Sequence, residues 1–125
     1  RKVDMELTGK CKEEFEKWLL SNDINQEVLE IDNMTYYGSY DVYDLFYLLP
    51  ESMQYGVYAD FFDSVGVRVF INEEFDTMGQ YQRGFNPLVN NVQLYKDNDC
   101  FHTRAESRTA SIEKANELRN EVLNK

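Results

Sequence analysis

The chain has 125 residues, the length of one ordinary domain, and a hydrophobic content of 42% is enough for a packed core, which argues against disorder. A formal net charge of −10 disfavours nucleic acid and anionic lipid as partners and favours basic ones. No apolar run approaches the roughly 20 residues of a membrane-spanning helix, and Arg1-Lys-Val-Asp4 leads into no apolar stretch, so the expectation is a cytoplasmic protein without a secretory signal.

Thr8 and Gly9 precede Cys11, Phe15, Trp18 and Leu19, apolar positions at i, i+4, i+7 and i+8 with Lys and Glu on the other face. That spacing predicts a helix ended by Ser21-Asn-Asp23. Ile24, Val28, Leu29 and Ile31 fit either a short helix or an irregular strand, and the pattern does not choose. A helix starting near Ser39 would set Val42, Leu45, Phe46 and Leu49 on one side and Tyr40, Tyr43, Asp44 and Tyr47 on the other, leaving the tyrosine side partly exposed. Pro50 suits the first turn of a further helix with an apolar face of Met53, Val57, Tyr58, Phe61, Phe62 and Val65. Asp60 and Asp63 lie opposite that face, and Gly66 is placed to end the helix.

Val67 to Ile71 alternates as a strand does. Gly79, Gly84 and Pro87 read as turn residues around a short strand at Gln80 to Arg83. Val89 to Tyr95 reads as a second strand, Lys96 to Asp99 as a turn, and Cys100 to His102 as a last short strand. Thr103-Arg-Ala-Glu106 is a capping box, in which the Thr hydroxyl accepts from the Glu106 N–H and the Glu106 side chain returns to the Thr103 N–H. The helix that follows runs to about Leu123 with a stripe of Ser107, Ser111, Ala115, Leu118 and Val122, small enough at its start to lie close on a sheet. The order predicts one α+β domain over residues 1–125: N-terminal helices, a small antiparallel sheet of two to four strands, and a C-terminal helix packed on the sheet.

The charge is unevenly spread. Between Trp18 and Val67 stand nine acidic residues and no Lys, Arg or His, so nine of the ten excess negative charges fall in one run of 50 residues. The same window is rich in aromatics: ten of the 18 lie between Tyr36 and Phe62. Tyrosine gives rigid amphipathic contact area at small entropic cost, and carboxylates steer a basic partner toward it. Tyr36, Tyr40, Tyr43, Asp44, Tyr47, Asp60 and Asp63 are therefore the candidate binding residues. The competing reading places those tyrosines in the core with hydroxyls at its rim.

Other constellations are weaker. Asp60 and Asp63 are i, i+3 neighbours, close enough for a cation, but no further ligand is evident on that face and a solvated surface is the simpler reading. Cys100 and His102 would share one side of a strand, with Cys11 within reach, yet there is no C-x-x-C and no orienting partner. In a reducing compartment both cysteines are expected as free thiols. Arg108 and Arg119 flank the last helix's stripe and are expected in structural ion pairs with carboxylates rather than on an anionic ligand. Phosphate-binding loops and nucleophile elbows are absent, and no basic stripe exists to track nucleic acid. No cofactor and no metal are implied.

Three stretches carry a resemblance: Leu7 to Trp18 (LTGKCKEEFEKW), Leu49 to Gly66 (LPESMQYGVYADFFDSVG) and His102 to Asn116 (HTRAESRTASIEKAN). Together they resemble small proteins that recur in phages and prophages of gut Bacteroidales, a group with no established catalytic residue to carry over. The resemblance implies an intracellular accessory protein acting during phage infection. The expected function is therefore non-enzymatic: binding of a basic host or phage protein through an acidic, tyrosine-rich surface, with mimicry of nucleic acid as its sharper form. Two other readings are carried beside it. One is a homo-oligomeric structural component, and the other is a small hydrolase or transferase using Asp60, Asp63, Cys100 or His102.

Overall fold

The computed structural model describes residues 5–21, 46–75, 82–94, 101 and 103–125. Within them run helix α1 (Gly9–Ser21), helix α2 (Glu51–Ser64), strands β1 (Val69–Phe75), β2 (Gln82–Val89) and β3 (Val92–Gln93), and helix α3 (Arg104–Leu123). This is the expected α+β order. The uncertain segment at residues 24–31, the start of the tyrosine helix, Gly79 and the Lys96 to Asp99 turn lie outside the described residues.

The helix ends follow local chemistry. Pro50 stands just before α2 at φ −56°, and its carbonyl accepts from the N–H groups of Met53 and Gln54 at 3.0 Å each. The Gln54 amide donates back to the carbonyls of Tyr47 and Leu49, satisfying the end of the preceding segment. At the other end Gly66 takes φ +83°, the Val67 N–H donates to Phe62 O at 2.8 Å, and the Gly66 N–H donates to Asp63 O at 3.2 Å. These are the paired bonds of a Schellman cap, and the buried Val67 supplies its apolar contact. At α3 the Thr103 hydroxyl accepts from the Glu106 N–H at 3.1 Å, as a capping box requires. The return contact differs from expectation: the Glu106 carboxylate pairs with the Thr103 hydroxyl, which donates to it at 3.0 Å, instead of with the Thr103 N–H.

The sheet is an antiparallel meander in the order β1-β2-β3. Its details correct the turn assignments made from glycine and proline. Gly84 and Pro87 lie inside β2: Gly84 sits beside a register irregularity at Glu74/Phe75, and Pro87 pairs with Ile71. The strand expected over Val89 to Tyr95 is instead a hairpin, turned by Asn90 and Asn91 at φ +52° and +68°. Two successive positive φ values make a tight two-residue turn, which Asn tolerates better than most residues. Pro87 explains why β3 is short. Its carbonyl accepts from Leu94 N–H at 3.1 Å, but it has no N–H to return. Phe101 exchanges both backbone bonds with Phe85, at 2.7 and 2.8 Å; it is the one described residue of the last short strand expected over Cys100 to His102.

Helices and sheet enclose an aromatic core. Phe15 is fully buried among Phe46, Tyr58 and Phe61, at ring-centroid distances of 5.2, 4.9 and 5.3 Å. Edge-on and tilted rings dominate, as the ring quadrupole favours. On α3, Ser107, Ser111, Ile112 and Ala115 are buried, and Leu118 and Leu123 pack at the edge of the core. Val122, which the simple stripe would bury, is exposed. Arg119 clamps α3 to α1: its Nε and an Nη each donate to Glu14 at 2.7 Å.

Candidate functional site

Asp60 and Asp63 both project from the exposed side of α2, as their spacing requires. Asp63 faces Arg68 across 4.0 Å with both side chains largely solvated, an arrangement that contributes little stability. Asp60 has no ion pair among the described residues. No group of three or more metal-ligating side chains occurs there either.

Of the expected tyrosine side only Tyr47 is described, and it is half-buried, as is Tyr55; Phe46, Tyr58, Phe61 and Phe62, expected on the inward apolar faces, are fully buried. The Tyr47 hydroxyl is itself sealed from solvent, so this residue offers at most part of its ring to a partner. Its phenol neighbours that of Tyr58; the two interact, though neither oxygen meets a partner at full hydrogen-bond geometry among the described residues. Burial raises the pKa of both, most strongly for Tyr58, so they stay neutral. Tyr36, Tyr40, Tyr43 and Asp44 lie outside the described residues.

The cation-free window is partly neutralised by residues distant in sequence. Arg108 of α3 donates to Glu51 at 2.7 Å and lies 6.0 Å from the Tyr55 ring centroid. Arg119 is held by Glu14, and those hydrogen bonds raise its pKa. Both arginines are thus in structural pairs, as expected. Cys11 is a free, fully buried thiol, pushed up to about 12 mainly by burial and further by Glu14, which makes it a poor nucleophile near neutrality. Cys100 and His102 lie outside the described residues.

Sequence reasoning did not foresee the concave feature that Asp60 and Asp63 border. A cleft of about 470 Å³ is lined by Ala59, Asp60 and Asp63 of α2, by Arg68, Val69 and Phe70, and by Asn91. A second, of about 360 Å³, is lined by Ser52, Tyr55 and Ala59, by Val69 to Ile71, and by Arg104 and Arg108. They share Ala59, Val69 and Phe70, so they form one groove between α2 and β1. Phe70, which lines both parts of the groove, is 56% exposed. At the far end Arg104 donates to Glu73 at 2.6 Å and lies 5.0 Å from the Phe85 ring centroid. The alternation of Val67 to Ile71 signalled a strand; its place at the sheet edge beside a helix depends on pairing that one sequence does not display. No protein-family model, curated protein or solved structure matches the chain.

Proposed function

We propose that this protein is a non-enzymatic accessory protein of phage or prophage type that binds a basic protein partner through its acidic surface. The observation that carries the reading is the position of Asp60 and Asp63: two solvated carboxylates at the mouth of the α2–β1 groove, in a chain of net charge −10. A concave, partly apolar surface with two solvated carboxylates at one end suits a protein segment that brings a cation to that end. The reading also draws on the resemblance of Leu7 to Trp18, Leu49 to Gly66 and His102 to Asn116. Tyr36, Tyr40, Tyr43 and Asp44 remain part of the proposed surface, whereas the burial of Tyr47's hydroxyl reduces its share.

The test is capture of partners on the immobilised chain at low salt with elution by high salt, repeated with D60N/D63N and with Tyr40, Tyr43 and Asp44 replaced together. Basic proteins retained by the native chain and lost from either variant support the reading. Retention that ignores salt, or is equal on all three chains, removes it.

A further inference from the structure

We propose that the outer edge of β1, with the groove beside it, takes an extended segment of a basic partner protein as an added strand. This rests on the acidic-surface reading and names how that surface engages its partner.

The backbone supplies the first argument. The Asn90 N–H donates to Arg68 O at 2.8 Å, and Phe70 and Asn72 stand opposite Leu88 and Asn86. Phe85 and Pro87 direct their backbone groups the other way, toward Phe101 and Leu94. In an antiparallel ladder alternate residues bond to alternate sides. Arg68, Phe70 and Asn72 therefore bond to β2, and the N–H and C=O groups of Val69, Ile71 and Glu73 point away from it, to an edge that is open among the described residues. No strand among the described residues pairs there. Edges not meant for pairing are usually blunted by charged side chains, above all Lys, by Pro, by a bulge or by a covering element. Val69 to Glu73 contains no Lys and no Pro, its one charge, Glu73, is paired with Arg104, and the register stays regular until Glu74/Phe75.

The groove supplies the second. It runs along the same edge, with α2 as its far wall and none of the described β2 side chains in its lining. A helix flanking an open strand is the geometry in which an added strand buries alternate side chains while its backbone completes the sheet.

Charge chooses the occupant. Arg104 and Arg108 at the Ile71 end are matched by Glu73 and Glu51. At the Val69 end two carboxylates, Asp60 and Asp63, face Arg68 alone among the cations of the described residues. An incoming Lys or Arg belongs at that end. A second copy of this chain is disfavoured, because edge-to-edge pairing would bring together two molecules of net charge −10.

The experiment pans a displayed library of random dodecapeptides against the full chain, with synthetic versions of enriched peptides then tested by titration and amide hydrogen exchange. Enriched peptides should carry Lys or Arg on an alternating apolar pattern and protect the amides of Val69, Ile71 and Glu73. N-methylation of alternate peptide residues should weaken binding on the order of tenfold in one register and little in the other, as loss of inward-facing donors predicts. That comparison leaves the protein unaltered. Ile71→Pro, which removes one outward N–H, should lose the same peptides.

Basic peptides that bind in a salt-dependent way but protect other amides, or ignore N-methylation register, overturn strand addition and leave the acidic-surface reading standing. Peptides that protect the β1 edge but show no basic preference, with D60N/D63N binding unchanged, overturn the charge assignment and that reading. A library with no enriched peptide, or a chain that dimerises through the β1 edge, overturns the proposal.

Discussion

The side-chain carbonyl of Asn120, on α3, accepts the backbone N–H of Cys11 at 2.9 Å and so caps the first turn of a helix 109 residues away in sequence. The Asn120 amide also donates to the Thr8 carbonyl at 2.9 Å, and Asn116, one turn earlier on α3, exchanges hydrogen bonds with Thr8. Helix α1 thus takes its N-terminal partners from the opposite end of the fold. Asn120→Ala should cost about 1–2 kcal/mol, the upper range for loss of a cap, because a donor and an acceptor are orphaned together. Gly9 makes the arrangement specific. It holds φ +61°, and a Cβ there would stand 3.1 Å from Asn120 Oδ1. Gly9→Ala should destabilise by about 1–2 kcal/mol from its left-handed backbone alone, with the Asn120 contact adding to that. In an Asn120→Ala background the added part should vanish. Gly66→Ala is the control, at φ +83° with nothing within 4 Å of its Cβ. Denaturant melts of the set check all three, and strict additivity of Gly9→Ala with Asn120→Ala would refute the contact.

Arg119 and Glu14 form the second tie between α3 and α1. Two bonds of 2.7 Å join them, and the side chains keep 18% and 31% of their exposure. Paired forks this well covered exceed ordinary surface bridges, so a cycle of Arg119→Met and Glu14→Gln should give a coupling of about 1–2 kcal/mol. A coupling near zero in urea denaturation would reduce the pair to ornament of the surface.

These two ties show what the sequence could and could not reveal. Helix α2, its Schellman end at Gly66 and the Thr103 cap were legible because each is local: the 3.6-residue period, one glycine, one Thr-x-x-Glu. Gly84 and Pro87 misled for a related reason. Their local preference is for turns, yet a strand irregularity and a two-residue β3 accommodate both, while Asn90-Asn91 turned the chain instead. The pairing of Arg108 and Arg119 with carboxylates followed from charge balance, but their partners, Glu51 and Glu14, did not. The groove was hidden altogether, since it exists only once α2 and the β1 edge lie side by side. Asp60 and Asp63 were visible as exposed acids; Val69, Phe70 and Ile71 beside them were read only as a strand.

Two serines on α3 should respond differently to alanine. Ser107 Oγ is buried with no hydrogen-bond partner among the described residues, whereas Ser111 Oγ donates to the Arg108 carbonyl at 2.9 Å and its side chain interacts with Tyr55. Ser107→Ala removes a desolvated hydroxyl and gains helix propensity, so it should stabilise by about 1 kcal/mol. Ser111→Ala loses made contacts and should show no gain. Thermal denaturation of both variants decides this, and a loss of stability in Ser107→Ala would mean that its hydroxyl has a partner.

Alkaline pH should destabilise this protein through its buried thiol and phenols, beginning at their ordinary values. Cys11 is raised from 9.0 to about 12, with burial the main cause, and burial also raises Tyr47, Tyr55 and Tyr58 above 10.0. The folded state therefore holds these protons more tightly than the unfolded one. The contribution of Cys11 is fully present below pH 9 and is lost as pH climbs through its folded value, about 12, while that of the tyrosines is fully present below pH 10 and is lost above it. Stability measured by denaturant should be flat in this respect up to pH 9 and fall steadily beyond it, and Cys11→Ala should flatten the first part of that fall. A thiol reagent at pH 8 should react with Cys11 only on unfolding. Rapid labelling of Cys11 in the native chain, or a slope above pH 9 that Cys11→Ala leaves untouched, would show that the thiol does not occupy the dry position beside Phe15 that the fold gives it.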